Sequence, residues 1–247
     1  MKTLKDICYC DIHKQYLDVY LPEQESFPVF LYFHGGGIEG GDKAQDFDLF
    51  IGHLVSCGIA VVSANYRMYP DAQYPEFLKD AAKAVAWVFA NRNTYGKVTD
   101  IYVGGSSAGG YMTQMLCFDK RWLAPYDIKA TDITGFVHDA GQPTCHFNIL
   151  RERGIDSRRV IVDDSAPLYH IGADPKYPPM LVIVSTHDIE NRYEQTMLLL
   201  STLKDFGCGD NVKLQVMEST HCGYIRKADE EGGSVFGKLI SDFMLNK

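Results

Sequence analysis

Asp100-Ile101-Tyr102-Val103-Gly104-Gly105-Ser106-Ser107-Ala108-Gly109-Gly110 is an apolar run that breaks into glycine and serine. It then continues into a helical stretch carrying Met112, Met115 and Leu116. Inside it stands Gly105-x-Ser107-x-Gly109. Between a strand and a helix, this pattern is a nucleophile elbow. The glycines remove side chains that would clash in so sharp a turn. The middle serine, Ser107, is left exposed above a sheet, and the N–H groups that follow it can face a developing oxyanion. A Walker-type phosphate loop would need a Gly-Lys-Ser/Thr ending, which is absent here. A dinucleotide fingerprint usually occupies the first βα turn, whereas this turn follows at least two earlier strand-like runs.

A second turn sharpens the picture. Phe30-Leu31-Tyr32-Phe33 runs into His34-Gly35-Gly36-Gly37, well ahead of Ser107 in the chain. A β-rich run ending in His-Gly-Gly-Gly offers bare backbone where a carbonyl oxygen must approach N–H groups closely. His34 is read as orienting this loop, not as a catalytic group.

These two turns, with Asn65-Tyr66-Arg67-Met68-Tyr69-Pro70 and Tyr74-Pro75 plus Asp80, resemble the α/β-hydrolase superfamily. The similarity is greatest to the hormone-sensitive-lipase-like carboxylesterases and carbohydrate acetyl esterase relatives, and it runs from about Tyr16 to the C-terminus. It implies an α/β-hydrolase fold, a serine hydrolase without cofactor or metal, and oxyanion donors at Gly36, Gly37 and Ala108. Two positions depart from the pattern. Ser106 stands where relatives often carry an acidic or aromatic residue, and Cys222 where a glycine commonly follows the histidine.

In that superfamily the acid and the base follow the serine in that order. Pro178-Pro179-Met180-Leu181-Val182-Ile183-Val184-Ser185-Thr186-His187-Asp188 is a near-continuous apolar run, as suits a parallel strand buried on both faces, and it ends in Asp188. Asp188 is therefore the expected acid, with Glu190 as the nearby fallback. Asp163 and Asp164 precede the strand as loop residues. Val212-Lys213-Leu214-Gln215-Val216-Met217 alternates as a strand does and leads to Glu218-Ser219-Thr220-His221. His221 is the only histidine beyond Asp188, so it is the expected base. His13, His34, His53, His138, His146, His170 and His187 are assigned structural or surface roles, and Asp80, which precedes the serine, a structural one.

Strands are expected at residues 16–21, 28–33, 58–64, 101–103, 133–137, 180–185 and 212–217, and helices at 76–91, 192–206 and 235–244. In the 76–91 helix, Phe77, Ala81, Val85 and Val88 share one face. Alternation of this kind predicts an α/β fold with a mostly parallel sheet of about eight strands flanked by helices. One domain over residues 1–247 is expected, with a short cap insertion at about residues 142–175, between the 133–137 strand and Pro179. So small a cap implies an open site.

A hydrophobic share of 46% and a charged share of 23% are those of an ordinary globular protein. Lys and Arg number 24 against 32 Asp and Glu, a net charge of −8, which argues against nucleic acid or an anionic membrane as partner. No run of about eighteen apolar residues is present to span a bilayer, and Met1-Lys2-Thr3-Leu4-Lys5-Asp6 lacks the apolar core of a signal peptide. The seven cysteines form no zinc-type pair of pairs, so free thiols in a reducing cytoplasm are expected. The expected partner is a small-molecule ester, and the oligomeric state stays open, a homodimer included. The activity read from these residues is hydrolysis of short-chain acyl esters through a Ser107-Asp188-His221 triad and an acyl-enzyme. Acetyl and feruloyl esters of carbohydrates are candidate substrates. Two alternatives remain: an amidase or peptidase such as an arylformamidase, and a non-catalytic ligand-binding protein of the same fold.

Overall fold

The fold was analysed in a computed structural model, which describes residues 1–45 and 47–246. Its frame is one sheet of eight strands: β1 (Lys2–Cys10), β2 (Gln15–Leu21), β3 (Ser26–Phe33), β4 (Ala60–Ala64), β5 (Lys97–Ser106), β6 (Gly135–Asp139), β7 (Met180–His187) and β8 (Val212–Thr220). Their spatial order is β1-β2-β4-β3-β5-β6-β7-β8. β2 pairs antiparallel with β1 and with β4, and all other pairings are parallel.

The parallel centre forms because its strands are apolar on both faces. In β3, Phe30 and Tyr32 point to one side and Leu31 and Phe33 to the other, and all four are fully buried. Helices α1 (Asp48–Ser56) and α7 (Val235–Leu245) cover the first side. On α7, Phe236, Ile240 and Met244 recur every fourth residue and are buried. Each such side chain contributes about 1.5–3 kcal/mol on leaving water. Helices α2 (Glu76–Ala90), α3 (Ala108–Phe118) and α6 (Arg192–Asp205) cover the second side. The predicted face of α2, Phe77, Ala81, Val85 and Val88, is buried against the sheet. Two short helices, α4 (Phe147–Glu152) and α5 (Pro167–His170), lie between β6 and β7, inside the stretch expected to form a cap. Among the described residues no helix is long and apolar enough to cross a membrane.

Three elements differ from the expectations. The segment before residue 16, to which the sequence assigned no element, contains strand β1, whose pairing with β2 is broken by two register shifts and which exposes Lys2, Lys5 and Asp6. Charges on an edge strand hide its period-two signal. The 133–137 strand is displaced to Gly135–Asp139, because buried His138 and Asp139 continue it where polarity suggested an end. Helix α1, left unassigned by the sequence, buries Phe50, Ile51, Leu54 and Val55 around a central Gly52 that weakens its helical signal.

Because the central strands are parallel, their carboxyl ends lie along one edge of the sheet. β3 ends at the glycine turn, β5 at Ser107, β7 just before Asp188 and β8 just before His221. Ligand sites of open α/β sheets form outside these ends.

Candidate active site

Ser107 caps α3 with φ 55° and ψ −110°. A non-glycine residue there carries roughly 1–3 kcal/mol of backbone strain, tolerated only where its surroundings hold it. They do so here. Its N–H donates to the Asp139 carbonyl at 2.8 Å, and its own carbonyl accepts from Tyr111 N–H at 2.9 Å. The crossing of β3, β5 and α3 is tight enough to exclude any side chain on the flanking glycines. A Cβ on Gly109 would lie 2.0 Å from the Phe33 carbonyl oxygen, and one on Gly105 2.6 Å from the Gly109 backbone.

Ser107, not Ser106, faces the histidine. His221 Nε2 lies 2.8 Å from Ser107 Oγ, and His221 Nδ1 lies 2.5 Å from Asp188 Oδ1. With Nδ1–H donated to the carboxylate, Nε2 is free to accept the serine proton. The Asp188 side chain is 1% exposed and that of His221 23%. Asp188 also accepts from Ile189 N–H at 2.8 Å and Ser185 N–H at 3.2 Å. Burial pushes the Asp188 pKa up. The His221 hydrogen bond and charge and the two backbone donors outweigh that effect and hold it below the usual carboxylate range. The fallback acid Glu190 is exposed. Asp163 is held by Arg153 at 2.6 Å and by Ser165 at 2.5 Å.

The glycine turn folds back over Ser107. Gly36 and Gly37 have φ of 109° and 67°, and a Cβ on Gly36 would lie 2.0 Å from the Gly40 carbonyl oxygen. Among the described residues the N–H groups of Gly36, Gly37 and Ala108 donate to no protein acceptor. Several contacts brace the turn. His34 Nδ1 bonds its neighbour's carbonyl, Gly35 O, at 2.8 Å, and its ring stacks on Tyr66 at 4.5 Å. Tyr66 OH donates to the His34 carbonyl at 2.8 Å. Asn148 Nδ2, from α4, donates to the Gly37 carbonyl at 2.5 Å. Asp80 serves this brace at one remove: it receives the Arg67 N–H and guanidinium at 2.8–3.0 Å, fixing the segment that bears Tyr66.

A cleft of about 580 Å³ opens over Ser107, His221 and the glycine turn. Phe147, Ile189 and Ile225 supply apolar wall, and Gln45 and Arg226 supply polar groups. Cys222 lines it with φ 55°. Burial and the nearby Asp139 and Asp188 raise the thiol's pKa well above its ordinary value, so it is a neutral thiol rather than a nucleophile. Among the described residues no group of three or more His, Cys, Asp and Glu could hold a metal ion.

Sequence reasoning missed the layer beneath the elbow: Tyr32, Asp139 and Tyr224, together with Asn148. One signal was present. Asp139 ends an apolar strand, much as Asp188 directly follows one.

The BD-FAE family model matches residues 17–123. The solved structure of the esterase Est2 from the Planctomycetes species Thermogutta terrifontis superimposes with a TM-score of 0.77, covering 98% of this chain and 91% of that one at 20% identity. The chain has an α/β-hydrolase fold. Among curated relatives, the esterase LipI of Mycobacterium tuberculosis is 38% identical over 101 residues, 40% of this chain and 32% of LipI. Kynurenine formamidase of Danio rerio is 30% identical over 130 residues, 52% of this chain and 42% of that protein. The chain thus spans about a third to a half of several curated relatives it matches. Est2 has also been solved phosphoramylated by tabun, with a TM-score of 0.77 to this chain.

Proposed function

We propose that this α/β-hydrolase is a serine esterase acting on short-chain carboxylic esters. The supporting observation is the hydrogen-bonded line Ser107–His221–Asp188, set beneath two unbonded glycine N–H groups at the mouth of an open cleft. In this mechanism His221 Nε2 takes the Ser107 proton as Oγ bonds the ester carbonyl carbon. The carbonyl oxygen gains negative charge in the pocket of Gly36, Gly37 and Ala108 N–H groups. His221 returns the proton to the leaving alcohol as the ester bond breaks. Water then attacks the acyl-enzyme by the same route, releasing the acid and restoring Ser107. Acetyl and feruloyl esters of carbohydrates fit a cleft with both apolar and polar walls, and belong to this proposal.

The test is turnover of p-nitrophenyl esters from acetate to decanoate. A rate peaking at short chains is expected, and no turnover at any length would contradict it. The likeness to a formamidase favours a second reading, hydrolysis of N-formyl or anilide substrates by the same residues. Matched aryl ester, formamide and anilide substrates separate the two: preference for the ester supports the esterase, and preference for an amide the alternative. A non-catalytic binding role predicts that a fluorophosphonate leaves Ser107 unlabelled.

A further inference from the structure

Asp139 is fully buried at the carboxyl end of β6, and among the described residues no ion pair holds it. A buried carboxylate costs several kcal/mol unless hydrogen bonds satisfy it. Its partners come from both halves of the site. Oδ2 accepts from Ser106 Oγ–H at 2.5 Å, and Ser106 in turn accepts from Tyr32 OH at 2.9 Å. Oδ1 accepts from the Tyr224 hydroxyl. Ser106 directly precedes Ser107, and Tyr224 lies three residues after His221. The backbone of Asp139 holds Ser107 itself, through the 2.8 Å bond to its N–H. One residue therefore grips the strand that carries the serine and the loop that carries the imidazole.

We propose that Asp139 is a positioning residue, a second carboxylate that clamps Ser106 and Tyr224, fixes the Ser107–His221 approach and adds negative field to the imidazolium formed in the reaction. This inference rests on the ester-hydrolase reading. It also explains why serine suffices at position 106: the acidic group absent from the elbow is supplied from β6. The charged and titratable groups around Asp139 are Tyr32 from β3, Asp188 from the turn after β7, and His221, Cys222 and Tyr224 from the loop after β8. Burial raises the Asp139 pKa to about 6, opposed by the Ser106 and Tyr224 hydrogen bonds and the His221 charge. It is therefore ionised at neutral pH and loses its charge as pH falls through about 6.

The test measures kcat, KM and the pH profile of wild type, Asp139→Asn, Ser106→Ala and Tyr224→Phe on a short-chain aryl ester. Asp139→Asn is expected to lower kcat roughly tenfold to a hundredfold, the effect of a misplaced reacting group, with KM changed less than about twofold. It should also move the acid limb of kcat/KM to lower pH, because a carboxylate favouring the charged imidazole is gone. Loss of packing alone would not move that limb. Should Asp139→Asn fail to fold, Ser106→Ala and Tyr224→Phe decide: a several-fold loss of kcat in each is expected, and unchanged kcat in both overturns the clamp. Wild-type kcat with an unmoved acid limb in Asp139→Asn overturns it while leaving the esterase standing. A wild type inert to every ester would remove the reading beneath it.

Discussion

In the proposed mechanism the chemistry concentrates in three atoms, Ser107 Oγ, His221 Nε2 and Asp188 Oδ1, joined by hydrogen bonds of 2.8 and 2.5 Å. Ser107→Ala removes the nucleophile and should lower kcat by about a million-fold, as measured by single-turnover ester hydrolysis. The variant should still fold, since alanine asks nothing more of the backbone than serine does. Asp188→Asn replaces an acceptor with an amide that can present N–H to Nδ1 and stabilise the wrong tautomer. A loss of about ten-thousand-fold in kcat is expected, and a loss under tenfold would exclude Asp188 as the acid. The meeting of these three side chains was readable from the chain because each follows directly on a strand end and chain order leaves a single downstream histidine. Asp139 was not. Its role depends on lying opposite Ser106 across the β5–β6 pairing, and that register is set by packing rather than by local pattern.

At the level of elements, the glycine turn depends on a helix remote in sequence. The Asn148 side chain on α4 is the bond that ties the Gly37 carbonyl down. Asn148→Ala should free the turn and lower kcat roughly tenfold to a hundredfold, with a small change in melting temperature. Steady-state kinetics beside a thermal melt checks this, and a fall in melting temperature with kcat intact would make α4 a purely structural prop. The main helices were visible as apolar stripes, α2 most clearly. Strand β1 and helix α1 were not, because charged edge residues and a mid-helix glycine mask their periods. The tie from α4 to the turn spans more than a hundred residues and leaves no trace in local sequence.

Across the whole molecule, buried titratable groups set the response to acid. Burial lowers the pKa of His138 and of His146 to about 3. Unfolded, such histidines bind a proton near pH 6.5. Between about pH 6.5 and 3 the unfolded chain therefore holds more protons, so stability falls as pH falls through that window. Each contributes on the order of several kcal/mol across it. Asp139 acts oppositely. Its raised pKa makes its contribution to the folded state fullest below the ordinary carboxylate range, and that contribution is lost as pH rises from there through about 6. The two histidines outweigh it, so the melting temperature should drop steadily from pH 7 to pH 4. His138→Asn should flatten that slope, and an unchanged slope would show that His138 is not buried in neutral form.

The most direct test of the central claim is labelling of the intact protein with a fluorophosphonate, followed by peptide mass mapping. An activated Ser107 predicts a single stoichiometric adduct on the peptide bearing Ser106 and Ser107, placed on Ser107 by fragmentation and absent from both Ser107→Ala and His221→Ala. No adduct, an adduct on Ser106, or labelling that survives His221→Ala would contradict it.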